Sequence, residues 1–145
     1  MNPQFFVAGK DDIETILQLQ QEFYGIENQR DTAKEVLRTL IDNAIYGKLW
    51  LIVIAGKAAG YMILTLGYSF ELKGKNAFLD ELYLQPQYRD NGIETGAIDF
   101  LAVQAKYMGA KAIHLQVDMQ NEAGIALYHR YGFQEHKRML MTRWV

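Results

Sequence analysis

The order of strand-like and helix-like segments in the second half of the chain allows few folds. The segment from Ala77 to Leu84, which is apolar on both sides of Asp80 and Glu81, is typical of a strand, and Ile113 to Val117 is strand-like again. Between them, apolar residues recur at helical spacing from Ile93 to Ala105, and Gly109 is a suitable end for that helix. A strand that returns through a helix to the same sheet runs parallel to its predecessor, with a right-handed crossover. The pattern therefore predicts an α/β sheet with at least one parallel pair.

The flanking segments extend this order in both directions. Two capping pairs, Asp11 with Glu14 and Thr32 with Glu35, predict the starts of two helices, the first of which ends at Gly25. The other predicted elements are a strand at Phe5–Ala8, a hairpin of Leu49–Ala55 with Gly60–Leu66, a helix at Ile125–Tyr131 and a last strand at Phe133–Arg143. The result is a mixed central sheet in the order β-α-α-β-β-β-α-β-α-β, with helices on both faces.

Length and composition limit the class of protein. A chain of 145 residues without a linker-like stretch is expected to form a single domain, residues 1–145. It has no cysteine, a net charge of -2 and no run of Lys and Arg, so nucleic acid is not an expected partner. No apolar run approaches the ~18 residues of a membrane span, and the three histidines lack metal-ligand spacing. We expect a soluble, cytoplasmic protein without a metal site.

The segment Leu84–Ala97, LQPQYRDNGIETGA, has the features of a phosphate-binding loop. Pro86 fixes a turn after the strand, and Arg89 supplies a permanent cation. Gly92 allows the backbone to approach a ligand at the start of the next helix, where unpaired N–H groups and the helix dipole favour an anion. An ordinary loop entering a helix is the alternative interpretation of this segment alone.

A second segment, Asn121–Phe133, reads NEAGIALYHRYGF and joins a helix ending in Leu-Tyr to a Gly-Phe pair. Together the two segments resemble the cofactor-binding core of the GCN5-related N-acetyltransferase (GNAT) family, and the predicted element order matches the order of that family. The resemblance spans nearly the whole chain. It implies an enzyme that transfers an acetyl group from acetyl-CoA to a primary amine of a small molecule or peptide by direct attack.

The resemblance also implies roles for individual residues. The backbone near Leu82, Tyr83 and Leu84 would hold the pantetheine arm of the cosubstrate, and the phenol of Tyr128 would protonate the departing sulfur. The remaining cofactor-binding residues would be Arg89, Asp90, Asn91, Gly92, Ile93, Glu94, Thr95 and Asn121. The link between the first two helices would form a wall of the acceptor site through Phe23, Tyr24 and Glu27.

Two carboxylates are candidates for the general base, Asp80 and Glu81, and a water chain is a third option. Strand alternation predicts that they lie on opposite faces, so that at most one points directly into the reaction cleft. The same alternation groups Glu81 with Leu79 and Tyr83 on one face of the strand. The apolar residues on either face of the strand do not indicate which of the two carboxylates is the base.

Two features leave alternatives open. Glu94 stands where the family has Gly or Ala, and a carboxylate in the first turn would repel a pyrophosphate. A non-catalytic binding or regulatory protein of the same fold is therefore the competing hypothesis. The apolar tail, which comprises Met139, Leu140, Met141, Trp144 and Val145, would either pair two copies of the chain into a homodimer or join the core face of its own sheet.

Overall fold

The structure, a computed structural model, describes residues 1–25 and 29–145. The described part contains the strands β1 (Gln4–Val7), β2 (Gly47–Ile54), β3 (Lys57–Ser69), β4 (Gly74–Leu84) and β5 (Ile113–His114). Its helices are α1 (Ile13–Tyr24), α2 (Arg30–Asp42), α3 (Ile93–Tyr107) and α4 (Glu122–Arg130). Short 3₁₀ turns at Lys10–Asp12 and Pro86–Tyr88 lead into α1 and toward α3.

The strands form one sheet in the order β1-β2-β3-β4-β5. The neighbouring pairs β1–β2, β2–β3 and β3–β4 are antiparallel, whereas β4 and β5 are parallel. This parallel pair is joined through α3, as the crossover pattern predicts. The mixed α/β class is confirmed.

Both faces of the sheet are buried under helices. Along β2, Leu49 and Leu51 pack in the cluster that includes α1 and α2 residues, while Trp50 and Ile52 pack in the cluster that includes α3. Because successive side chains of a strand point to opposite faces, a strand covered on both sides is apolar without alternation. This explains the continuous apolar run in the sequence.

A β-bulge interrupts β4 at Asp80. Glu81 lies opposite Ile63, but the next ladder pair joins Leu79 to Leu64, so Asp80 has no partner across the ladder. The extra residue reverses the side-chain alternation. Leu79 consequently packs on the α3 side, and Tyr83 packs on the α1 side. The predicted grouping of Leu79 with Tyr83 and Glu81 is therefore wrong.

Several predicted element ends also differ from the structure. Asp12 rather than Asp11 is the N-cap residue of α1, and its carboxylate accepts from the backbone N–H of Gly9 at 2.8 Å within the preceding 3₁₀ turn. Thr32 lies inside α2, because that helix begins at Arg30. α4 begins at Glu122 rather than Ile125, and β5 ends at His114 rather than Val117.

The strand predicted at Phe133–Arg143 does not form. The segment begins with the polar run Gln134–Arg138, which offers no apolar face to a sheet, and β5 presents an edge of only two residues. The tail residues Met139, Leu140, Met141, Trp144 and Val145 are exposed. Burial of this tail in the sheet's own core is therefore wrong, while pairing of two copies stays a prediction.

Within the described residues, no helix has both the length and the apolar character required to cross a bilayer.

Candidate active site

The carboxylate of Glu81 is held between two tyrosines on different elements. Tyr24, the last residue of α1, donates its hydroxyl to Glu81 Oε2 at 2.5 Å, and Tyr61 on β3 donates to Oε1 at 2.5 Å. Tyr61 is fully buried and lies beside Tyr83 in the ladder, whereas Tyr24 is half-exposed. Glu81 is thus an oriented, partly buried acid at the junction of α1 and the sheet.

Both phenols that bind Glu81 are held in the protonated form. Burial, followed by the hydrogen bond and charge of Glu81, raises the pKa of Tyr24 to about 12. The same causes raise the pKa of Tyr61 still further. Neither hydroxyl loses its proton near neutral pH, so both act as donors to the carboxylate.

A second carboxylate, Glu22, lies near the C-terminal end of α1. It accepts a hydrogen bond from the Tyr83 hydroxyl at 3.2 Å and another from the side-chain amide of Gln85 at 3.1 Å. Burial and then the charge of Glu22 raise the pKa of Tyr83. Two acids and their phenol partners therefore line this end of β4.

Aromatic rings connect the two acids. The ring of Phe23 stacks on Tyr24 at 5.0 Å and on Tyr83 at 5.1 Å between centroids. Phe23 and Tyr24, both predicted to face the acceptor, therefore lie beside Glu81, as such a role would need. Glu27, the third predicted acceptor contact, lies outside the described residues.

Asp80, the other candidate base, occupies a different environment. As the bulged residue of β4 its side chain is exposed, and its charge contributes only the last of the causes that raise the pKa of Tyr24. Asp80 is therefore near the Glu81 cluster without being oriented by it. Glu81, by contrast, is oriented by two phenols.

The edge of β4 opens toward its C-terminal end. The parallel ladder with β5 pairs Ala77 with Ile113 and Phe78 with His114 and goes no further, while β4 continues to Leu84. Leu82, Tyr83 and Leu84 thus lie on the stretch of β4 that has separated from β5. An extended ligand could use backbone groups of such a stretch, because strand edges are hydrogen-bonding templates.

The loop after β4 is organised by its own polar groups. Arg89 Nε donates to the carbonyl oxygen of Leu84 at 2.8 Å, and Asn91 Nδ2 donates to the carbonyl of Arg89 at 2.9 Å. Asp90 and Gly92 have left-handed backbone with φ of 63° and 76°. The bond from Arg89 ties its side chain to the end of β4 and uses one of its five N–H donors.

Gly92 is the N-cap residue of α3, and among the residues that the structure describes no side chain caps this helix end. Ile93 is buried against the sheet, and Glu94 and Thr95 follow in the first turn. The hydroxyl of Thr95 is hydrogen-bonded to that of Tyr131, which follows α4, so the start of α3 is tied to the end of α4. First-turn N–H groups without a side-chain cap are suited to an anion.

Tyr128 lies on α4 near the start of α3. Burial raises the pKa of its phenol, and the charge of Glu94 raises it further. The ring packs edge-on against Phe133 at 5.7 Å, and α4 itself is capped by Asn121 Oδ1, which accepts from the backbone N–H of Gly124 at 3.0 Å. Asn121 therefore has a structural role at the helix start. A protonated, partly buried Tyr128 has the state that a general acid requires.

Sequence reasoning missed two residues of this cluster, Tyr61 and Glu22. Tyr61 stands within an apolar strand run and Glu22 on the polar side of a helix, so neither departs from an ordinary pattern. Only the pairing of β3 with β4 and the end of α1 over the sheet bring them to Glu81 and Tyr83. No local sequence signal carries that information.

Other features of the described residues lie apart from this cluster. A cavity of about 300 Å³ is lined mainly by apolar side chains of β1, α2 and β2, and contains none of the residues above. Within residues 1–25 and 29–145, no group of three or more acidic or histidine side chains is arranged to hold a metal ion.

Comparison with known proteins identifies relatives for most of the chain. A model described as the acetyltransferase (GNAT) family matches residues 13–133. An uncharacterized N-acetyltransferase of Methanocaldococcus jannaschii is 25% identical, over 87% of this chain and 58% of that protein. The thialysine N-epsilon-acetyltransferase of Mus musculus is 27% identical, over 86% of this chain and 78% of that enzyme. The chain thus spans little more than half the length of the archaeal relative.

Solved structures share the fold. An integron cassette protein, HFX_CASS3, from the mobile metagenome of Cole Harbour Salt Marsh superposes with a TM-score of 0.88 at 28% identity, covering 98% of this chain and 90% of that one. A predicted acetyltransferase of Clostridium acetobutylicum, solved with acetyl-CoA, gives 0.82 at 20% identity, covering 98% and 96%. The second similarity concerns the fold alone.

Proposed function

Because the chain belongs to the GNAT acetyltransferase family, we propose that it is an N-acetyltransferase that moves an acetyl group from acetyl-CoA to a primary amine. The acceptor is a small molecule or a peptide, and the amine attacks the thioester directly. The observation that carries the proposal is the oriented carboxylate of Glu81, which lies on the open part of β4 beside exposed aromatic rings.

The cosubstrate fits the end of β4 and the start of α3. The first-turn N–H groups after Gly92 and the cation of Arg89 suit the pyrophosphate, and the separated edge at Leu82–Leu84 suits the amide-containing pantetheine arm. Asp90, Asn91, Ile93, Glu94 and Thr95 complete that loop and helix start. Asn121 would support the cosubstrate site indirectly, because its side chain caps the start of α4.

The amine nitrogen must lose two protons during the reaction. An ammonium cannot attack a thioester, so Glu81 accepts one proton from it and later releases that proton to solvent. Attack forms the new N–C bond and an oxyanion that backbone donors stabilise. Collapse of this intermediate then breaks the C–S bond, and Tyr128 protonates the departing thiolate. The second proton lost by nitrogen restores the phenol, so one proton is released overall.

The acceptor would enter beside the aromatic cluster. Phe23 and Tyr24 present half-exposed rings next to Glu81, and a ring face together with a carboxylate attracts a cationic amine. Glu27 is proposed as a further contact on the basis of its position between the first two helices. The acceptor is therefore expected to be positively charged before it reacts.

One observation favours the competing hypothesis of a non-catalytic protein. Glu94 stands in the first turn of α3, where its charge opposes a pyrophosphate. In that case the fold would serve binding or regulation, with weak affinity for acetyl-CoA. The two hypotheses differ in whether thiol is released in the presence of an amine.

The test is release of CoA thiol from acetyl-CoA with a panel of primary amines, using the wild-type protein, Glu81→Gln and Asp80→Asn. We expect turnover by the wild type, a loss of roughly 10²-fold or more in Glu81→Gln, and a much smaller effect in Asp80→Asn. The two substitutions are matched, since each removes one charge from adjacent residues of β4. Equal losses would remove the assignment of the base to Glu81, and an inactive wild type that does not bind acetyl-CoA would favour the non-catalytic hypothesis.

A further inference from the structure

The two oxygens of the Glu81 carboxylate have partners of very different solvent exposure. Oε1 accepts from Tyr61, whose side chain is 1% exposed, and Oε2 accepts from Tyr24, which is 55% exposed. The two hydrogen bonds have the same length of 2.5 Å. The difference between them therefore lies in what holds each phenol.

Tyr61 is fixed by the core. It lies opposite Tyr83 in the β3–β4 ladder, with ring centroids 6.1 Å apart, and packs in the apolar cluster shared with α1 and α2. A buried hydroxyl needs a partner, and Glu81 Oε1 is the partner of this one. Moving Tyr61 would break the hydrogen bond and the packing together.

Within residues 1–25 and 29–145, Tyr24 is held by its hydrogen bond to Glu81 and by stacking on a neighbouring ring. It is the last residue of α1 and precedes Gly25, which ends the helix with left-handed backbone at φ of 73°. Its ring stacks on Phe23, which is itself 44% exposed. Because the side chain is already half in water, its hydroxyl can exchange Glu81 for solvent at little cost.

We propose that Tyr61 is the positioning residue that fixes Glu81 through Oε1, and that the Tyr24 hydroxyl holds Oε2 until the acceptor ammonium replaces it. This inference rests on the proposed function, because that function supplies the amine. The exchange keeps one donor on Oε2 and replaces a neutral O–H by a charged N–H, which makes the stronger hydrogen bond. The displaced hydroxyl then faces water or the bound acceptor.

Kinetics of two matched Tyr-to-Phe variants test the difference between the phenols. Tyr61→Phe is expected to lower kcat on the order of ten-fold with little change in the KM of the amine, since the base is formed but misdirected. Tyr24→Phe is expected to lower the KM of the amine several-fold, since the competing donor is gone. Equal falls in kcat, or a change confined to KM in Tyr61→Phe, would overturn the proposal.

Ile63→Val controls for loss of core stability. Ile63 lies opposite Glu81 in the ladder and is buried, and its aliphatic side chain has no hydrogen-bonding group that could orient the carboxylate. The substitution should lower the urea midpoint of unfolding slightly, because it removes one buried methyl group. It should not reproduce the fall in kcat, and a fall of equal size would assign the Tyr61 effect to packing alone.

A measurement on the wild-type protein decides the matter without a core variant. With tyrosines labelled at Cζ, addition of 1,4-diaminobutane should shift the NMR signal of Tyr24 and leave that of Tyr61 in place. Movement of both signals, or of neither, contradicts the proposal. Movement of Tyr24 alone in a protein without turnover would support the amine site while rejecting the proposed transfer reaction.

Discussion

The carboxylate of Glu94 in α3 acts on the phenol of Tyr128 in α4, because its charge is the second cause, after burial, that raises the pKa of that phenol. Glu94 is also a first-turn residue of the helix whose N-terminus is proposed to bind the pyrophosphate. One side chain therefore opposes anion binding and helps to keep the proposed acid protonated. Substitution can separate the two effects.

Glu94→Gln is expected to tighten the binding of acetyl-CoA. Removal of the charge ends its repulsion of the pyrophosphate at the positive end of α3, an effect of about 0.3–1 kcal/mol, or roughly two- to five-fold in Kd. Isothermal titration calorimetry measures the change, and Glu94→Gly adds the relief of side-chain bulk. Glu122→Gln, in the first turn of α4, is the control. Equal affinities for wild type and both Glu94 variants would show that Glu94 does not hinder the cosubstrate.

Tyr128→Phe is expected to lower kcat by roughly 10²-fold while leaving the Kd of acetyl-CoA nearly unchanged, because only the proton donor is lost. In the wild type, the pKa of the phenol is raised above its ordinary value of 10.0, so Tyr128 is expected to keep its proton up to at least that pH. Steady-state kinetics with a parallel binding titration measure both quantities. Tyr107→Phe, at an 84% exposed position, is the control. Unchanged turnover would remove the proposed role.

Gly92→Ala is expected to destabilise the protein by about 1–2 kcal/mol, since residues other than glycine pay that cost for left-handed backbone. Gly92 has φ of 76°, and a Cβ there would meet no atom within 4 Å, so the cost is conformational. Gly96, inside α3, has equally open surroundings and serves as the matched control. There, alanine should stabilise by about 0.5–1 kcal/mol. Urea unfolding distinguishes the two signs, and equal effects would contradict the argument.

The elements that sequence patterns predicted well are those whose signal is local and repeated. The crossover through α3 needs only a strand, a helical run closed by glycine and a second strand, all of which are visible in residues 77–117. The bulge at Asp80 is different, because it depends on how β3 and β4 align across many residues. The pairing of Tyr61 with Glu81 depends on the same register, so the sequence named the carboxylate but not its fixed partner.

The ends of elements were predicted less well for a related reason. Thr32 with Glu35 has the form of a capping pair, yet α2 begins at Arg30, whose guanidinium is hydrogen-bonded to Glu14 on α1. The helix thus begins earlier than the local pattern predicts, at a residue that contacts α1. The predicted last strand is the opposite case, because here the structure lacks an element that the pattern predicts. β5 has only two residues, so it offers residues 133–143 no long edge to pair with.

The free energy of unfolding is expected to fall in alkali because of the phenols around Glu81. Folding raises the pKa of Tyr24 from 10.0 to about 12 and raises that of Tyr61 further, so the folded chain keeps protons that the unfolded chain releases. Their contribution is complete below the unfolded pKa and is lost progressively as pH rises above it.

Urea titrations from about pH 8 to about pH 12 measure this fall, and Tyr24→Phe and Tyr61→Phe should each make it shallower than in the wild type. Tyr68→Phe, at an 85% exposed position, is the control and should keep the wild-type slope. If Tyr24→Phe and Tyr61→Phe also kept the wild-type slope, these two phenols would not be the groups that titrate.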